Sequence, residues 1–118
     1  MEPPDEAPAT LTHPDLDDPA VLTRIADRLR LELGAQRVTV YGSVARGEAT
    51  IDSDIDLLVI APSTEKGYQR MARARAVIRD LSFGLPISPL VLTPSELRDR
   101  LVAGDPFLEE IIQTGVEL

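Results

Sequence analysis

Gly42-Ser43, ten further residues, and then Asp54-Ile55-Asp56 form the stretch of this 118-residue chain whose residue types and spacing can do chemistry. Asp54 and Asp56 stand two apart, and alternation along a strand puts such a pair on one face. Two carboxylates side by side repel unless a cation lies between them. Mg²⁺ suits the place, because it is a hard ion that takes one or two carboxylates and completes its shell with water and substrate phosphates. Gly42 allows a sharp turn and the close approach of a ligand to the backbone. Ser43 can cap a short helix, predicted over Val44 to about Gly47, whose free amides and dipole attract phosphate. Phosphate donors beside a metal pair are what transfer of a nucleotidyl group needs. Asp54 and Asp56 are therefore the predicted metal-binding and catalytic residues, and Gly42 and Ser43 the predicted nucleotide-binding residues.

Two other readings of the same letters fail. Gly42 to Gly47 has the G-x-x-x-x-G spacing of a P-loop, but Glu48-Ala49 stands where the phosphate lysine and its Ser/Thr should be. Asp52, Asp54 and Asp56 match positions 1, 3 and 5 of an EF-hand loop, yet Leu57 replaces its glycine and Ser63 its closing glutamate. A turn with a solvated acidic edge explains an isolated Asp-x-Asp. It does not explain one that follows Gly-Ser and is flanked on both sides by apolar β-formers.

Those flanks are the elements that must position the site. Val38 to Tyr41 and Leu57 to Ile60 are short runs rich in β-formers, too short for ordinary helices, and read as two strands. Ahead of them, Ala20 to Leu33 repeats apolar residues at helical spacing (Leu22, Ile25, Ala26, Leu29, Leu33), with Asp18-Pro19 at its start and Gly34 at its end. Thr64 to Leu81 reads as a second long helix with Tyr68, Met71, Ala74, Val77 or Ile78, and Leu81 along its apolar stripe. Its basic residues, Lys66, Arg70, Arg73, Arg75 and Arg79, form either a solvated face or one turned to a nucleotide or an acidic partner. Leu85 to Leu92 reads as a third strand. Pro86 and Pro89 remove ladder donors from it, which predicts an edge position or a bulge. Thr93-Pro94-Ser95-Glu96 is a capping box that starts a helix running to about Ala103. Asp105-Pro106 opens a last helix, Phe107 to about Thr114, expected to bury Phe107, Leu108, Ile111 and Ile112. The expected fold class is α+β: a small, mixed, three-stranded sheet with helices packed mainly on one face.

Composition bounds what surrounds this unit. At 118 residues one domain is expected, able to bury roughly two-thirds of its unfolded surface. Cysteine is absent, which excludes disulfides and thiolate metal sites and fits a reducing compartment, so a cytoplasmic location is expected. No apolar run is long enough to span a bilayer, so no membrane association is expected. The formal charge is −8, with six of the twenty acids and none of the twelve bases within residues 1–19. The remainder is nearly neutral, and it lacks the basic field of a nucleic-acid binder. Residues 1–19 also hold five of the ten prolines and read as a loosely held, acidic tail, leaving 20–118 as the folded domain. His13, the one histidine, lies in that tail and is set aside as a ligand.

The string GSVARGEATIDSDIDLLV resembles the signature of the DNA polymerase β-like nucleotidyltransferases, and in particular their smallest branch, the minimal nucleotidyltransferase (MNT) domains. The resemblance implies a nucleotidyltransferase-like core, ATP as substrate, and Mg²⁺ held by Asp54 and Asp56 while Gly42, Ser43 and adjacent amides hold the phosphates. Arg46 is placed either to grip a phosphate with its guanidinium fork or to pair with Glu48; MNT domains often read Gly-Ser-x-Ala-Arg-Gly, which favours the phosphate. Many of these domains are antitoxins encoded beside a HEPN ribonuclease toxin, so the implied function is transfer of AMP to a hydroxyl of such a partner protein. The chain departs from the pattern at one point. Active relatives carry a third carboxylate on the next strand, where this chain offers Pro86 and Ser88. That departure keeps a second reading open: a nucleotide-binding module of weak or no activity that neutralises its partner by binding alone.

Overall fold

The computed structural model describes residues 11–118. Within them the apolar runs flanking the Gly-Ser and Asp-x-Asp motifs become β1 (Arg37–Tyr41) and β2 (Ile55–Ile60), paired antiparallel with Tyr41 opposite Asp56 and Val38 opposite Val59. α1 (Ala20–Leu33) precedes them with the predicted bounds, and the Asp18 carboxylate accepts the Ala20 N–H at 3.0 Å at its start. α2 (Gly67–Val77) crosses from β2 to β3 (Ile87–Leu92), which lies parallel to β2 with Asp56 beside Ser88. α3 (Pro94–Val102) and α4 (Pro106–Thr114) follow, and a two-residue β4 (Val116–Glu117) ends the chain.

The sheet has four strands, not the expected three, in the order β3-β2-β1-β4. β4 pairs antiparallel with β1, Val116 opposite Val40, and the Leu118 N–H continues the ladder to the Val38 carbonyl at 2.9 Å. Two residues carry no periodicity, so only the open edge of β1 creates this strand. Gly115 lets the chain come in: a Cβ there would lie 2.5 Å from the Ile111 carbonyl oxygen and 2.6 Å from Thr39 Cγ2. β3 takes the other edge, where the missing N–H of Pro89 costs no ladder bond, as its prolines predicted.

Helices cover both faces, which corrects the expectation of one covered face. Alternation sends Val38, Val40, Ile55, Leu57, Val59 and Val91 to one side, where Leu22, Ile25 and Leu29 of α1 and Ala74 of α2, with Ile78 just beyond it, complete the core. Leu58, Ile60 and Leu92 point the other way, onto Leu108 and Ile111 of α4 and the half-buried Leu97 and Leu101 of α3. Fully burying a side chain of this size contributes about 1.5–3 kcal/mol, so neither face would stay open to water by default. Phe107 and Ile112, expected in the core, are 44% and 41% exposed, because α4 turns only Leu108 and Ile111 fully inward.

α2 is shorter than predicted: it begins after Lys66, whose N–H is taken by the Gln69 side chain at 3.0 Å, and it unwinds into turns after Val77. Tyr68 stands 66% exposed rather than in the apolar stripe. Two of the arginines on α2 are committed within the chain. Arg70 is buried and grips Glu96 with two bonds of 2.5 and 3.1 Å, while Nε reaches the Glu65 carbonyl at 2.9 Å. Arg73 pairs with the Glu65 carboxylate at 2.6 Å. Glu96 closes the predicted capping box as well, accepting the Thr93 N–H at 2.8 Å, so one carboxylate joins α2 to the start of α3.

Residues 1–10 lie outside the described residues, and with them half of the predicted tail. The other half is packed rather than loose. Leu11 is fully buried in the larger core, and His13 is only 5% exposed. No described helix is long and apolar enough to cross a membrane.

Candidate active site

Asp56 is the second residue of β2, on the face that looks toward α4, and Asp54 lies just outside the strand. Asp54 is exposed and Asp56 half-buried. Their carboxylates feel each other. Burial pushes the Asp56 carboxyl above the usual carboxylate range, and the charge of Asp54 adds to the rise. Tyr41, opposite Asp56 in the ladder, has its phenol pushed up by burial and then by the Asp56 charge. Both shifts lie at the mouth of β2, around the Asp-x-Asp pair.

Gly42 joins this pair to the preceding strand. Its φ is +75°, and a Cβ at this position would meet Asp56 Oδ2 at 2.9 Å. Only a residue without a side chain lets the backbone after β1 run this close to the carboxylate. After it the chain makes a run of turns over residues 42–47 rather than the predicted helix from Val44. Three bonds of three different spans close these turns, Arg46 N–H to the Gly42 carbonyl at 3.2 Å, Gly47 N–H to the Val44 carbonyl at 3.3 Å and Glu48 N–H to the Ser43 carbonyl at 2.9 Å, so no helical repeat is set up. Among the described residues no backbone carbonyl takes the N–H groups of Ser43, Val44 or Ala45. The phosphate donors available here are thus individual amides and the Ser43 hydroxyl, without a helix dipole behind them. Val44 is fully buried and anchors the turn to the core.

Arg46 pairs with Glu48 at 3.1 Å, both largely exposed, so the surface pairing that the residues left open is the one adopted here. Arg46 also lines a hollow of about 180 Å³ together with Tyr41, Gly42, Phe107, Glu110, Ile111 and Thr114. Sequence reading missed this hollow. Of the two tyrosines and two phenylalanines in the chain, one of each meets here: Tyr41 and Phe107 pack edge to face with centroids 5.7 Å apart. The scarcity of aromatic residues was the available signal; that α4 folds back over the end of β1 was not visible without the tertiary structure. Asp52 sits exposed in the turn before Ser53 and does not extend the strand.

The donor set fits Mg²⁺ in part. Two carboxylates at one strand mouth, with the Gly42 backbone against one of them, suit an ion that keeps water and phosphate oxygens for its other positions. The slot beside Asp56 on β3 is Ser88, and Ile55 N–H bonds to the Pro86 carbonyl at 2.8 Å, so both positions expected to offer a third carboxylate flank the pair without one. Among the described residues no group of three or more His, Cys, Asp or Glu side chains is placed to hold an ion.

Comparison with known proteins places the chain in a family. A Methanocaldococcus jannaschii protein named "Putative protein adenylyltransferase" is 33% identical over 85 residues, which cover 65% of this chain and 56% of that protein. The match thus spans little more than half the length of that curated relative. The family described as "Nucleotidyltransferase domain" matches residues 22–114. That match runs from the first turn of α1 to the last residue of α4 and takes in every element that carries the paired aspartates and the glycine-serine turn, so the chain belongs to the nucleotidyltransferase domain family.

Proposed function

We propose that this protein transfers AMP from ATP to a hydroxyl group of a partner protein, with Mg²⁺ held by Asp54 and Asp56. The observation that carries the reading is the Asp56 carboxylate, which feels the charge of Asp54 and lies so close to Gly42 that a Cβ there would stand 2.9 Å from its Oδ2. When bound, the metal ion would neutralise charge on the α- and β-phosphates and favour in-line displacement. The chain's own residues do the rest. Gly42 keeps the space above Asp56 clear, and Ser43 and its neighbouring amides donate to the leaving phosphates. The acceptor oxygen attacks the α-phosphorus, the bond to the bridging oxygen breaks, and pyrophosphate leaves. With Ser88 in the third carboxylate's place, the hydroxyl proton passes to water or to a base supplied by the acceptor.

A protein acceptor suits the chain better than a small molecule. The hollow beside Gly42 is only about 180 Å³ and partly formed by the half-exposed Phe107, too small to enclose a small-molecule acceptor as well as a nucleotide. The M. jannaschii relative carries the name of a protein adenylyltransferase, and the string GSVARGEATIDSDIDLLV resembles the MNT antitoxins, so a HEPN ribonuclease toxin is the proposed acceptor and its silencing the proposed role. Incubation with α-labelled ATP, Mg²⁺ and a HEPN partner tests this. Label should appear on the partner and vanish with Asp54→Ala. Ser88 beside Asp56 favours one second reading, neutralisation by binding alone, which predicts a stable complex with the partner and no label.

A further inference from the structure

We propose that His13 is a positioning residue for Asp54, acting through the peptide bond that precedes it; this rests on the nucleotidyl-transfer reading above. His13 is 95% buried (5% exposed) although it comes from the N-terminal strap, forty residues away in sequence from the loop it touches. Its two ring nitrogens have distinct partners. Nδ1 accepts the Asp15 N–H at 3.0 Å, which places the ring hydrogen on Nε2, and Nε2–H donates to the Ser53 carbonyl at 2.6 Å. The carbonyl of Ser53 belongs to the peptide plane entering Asp54. The plane leaving Asp54 is held from the other side, by Ile55 N–H on the Pro86 carbonyl at 2.8 Å. Asp54 is therefore bracketed, with one peptide tied to the strap and the other to the chain entering β3.

The rest of the loop supplies little else to hold it. Thr50, Ile51 and Asp52 are exposed, and Ile51 is 71% exposed despite being apolar. Thr50 and Ser53 close a turn on each other, Thr50 N–H to Ser53 Oγ at 2.9 Å and Ser53 N–H to the Thr50 carbonyl at 3.0 Å, but these bonds are internal to the loop and do not tether it. The tether is His13, and Leu11, fully buried two residues earlier, fastens the strap to the core. Groups that orient a metal-binding side chain from behind typically change metal affinity by about 10- to 100-fold when removed.

Two amide substitutions separate this role from simple packing. His13→Asn keeps an acceptor near Nδ1 for Asp15 N–H but loses the reach to Ser53; His13→Gln reaches toward Ser53 with its amide donor. Mg²⁺-dependent binding of α,β-methylene-ATP by the full chain is measured by calorimetry for each, alongside thermal unfolding. His13→Asn and His13→Ala should weaken it about 10-fold or more, and His13→Gln should stay within about 3-fold of the parent. Should His13→Ala not fold, the Asn and Gln pair decides alone. His13→Asn binding as tightly as the parent, or the Gln and Asn variants weakened alike, would overturn the proposal even if their melting temperatures fall. An unmodified chain that shows no Mg²⁺-dependent binding, or an Asp54→Ala that binds normally, would instead remove the functional reading on which it rests.

Discussion

Gly42 and Asp56 are so close that a methyl group on the first would sit 2.9 Å from a carboxylate oxygen of the second. They face each other across the end of the β1–β2 ladder, where Tyr41 is the last residue paired with Asp56. The glycine of the Gly-Ser motif is thus a steric condition on the aspartate of the Asp-x-Asp motif, although fourteen positions separate them in the chain.

Gly42→Ala should therefore injure binding more than folding. Its φ of +75° costs an alanine about 1–2 kcal/mol. The Asp56 carboxylate, being the far end of a side chain, can rotate away and leave the site. Thermal unfolding should show a modest loss, while Mg²⁺-dependent ATP binding measured by calorimetry should fall at least about 10-fold. Binding at the parental level would show that the close approach is incidental.

Asp56→Asn should stabilise the ligand-free protein while disabling it. The Asp56 carboxyl lies above its ordinary range through burial and the Asp54 charge. A raised acid contributes stability that is present below the ordinary carboxylate range and is lost as pH rises through the raised value. At neutral pH the parent carries that loss and the asparagine does not. The variant should unfold at higher denaturant than the parent at pH 7, the advantage shrinking toward pH 3, and it should gain nothing from Mg²⁺ and ATP. An equal response of both proteins to pH would contradict the coupling.

Glu96→Gln probes the link between α2 and α3. The Arg70 guanidinium, with help from the Thr93 N–H, holds the Glu96 carboxyl down at about 2. A lowered acid contributes stability above its ordinary value, near 4.5 for this group, and loses it as pH falls toward about 2. Glu96 is 42% exposed, so solvent discounts the effect to about 1–2 kcal/mol at neutral pH. Urea titrations should show the parent ahead of Glu96→Gln at pH 7 and the gap closing at the acid end. A gap constant with pH would assign the loss to something other than the charge.

Ser88→Asp should place a third carboxylate directly across from Asp56 in the parallel register. If turnover is limited by the want of a base, labelled-ATP transfer should rise by up to about 10²-fold, at the cost of a lower melting temperature without Mg²⁺. A rate that stays level while Mg²⁺ restores the lost stability would show that the acceptor already supplies its own base.

Much of this was legible beforehand because it is local. Helix α1 announces itself by its stripe and by Asp18-Pro19 and Gly34 at its ends, and α3 by Thr93 and Glu96, whose reciprocal bonds span three residues. Alternation within Ile55 to Ile60 sorts Asp56 from the core-facing neighbours on either side of it. Pro89 marks an edge strand for a reason contained in one residue. The segment after Gly42 is a run of turns and not the expected helix: Ser43 has the chemistry of a cap, but the pattern that follows does not extend far enough to propagate one.

Residue types and spacing by themselves determined the paired carboxylates, the glycine-serine turn and the strands that carry them, since each depends on near neighbours and on a period of two or 3.6. Tertiary structure alone decided what acts across long separations. It made β4 out of two residues against the free edge of β1, brought α4 and Phe107 over Tyr41, and chose Ser88 rather than Pro86 as the residue paired with Asp56. It also drew His13 out of an acidic, proline-rich segment to the carbonyl before Asp54. None of these leaves a periodic trace, because each is a hydrogen bond or a packing contact between residues whose distance along the chain says nothing of their distance in space.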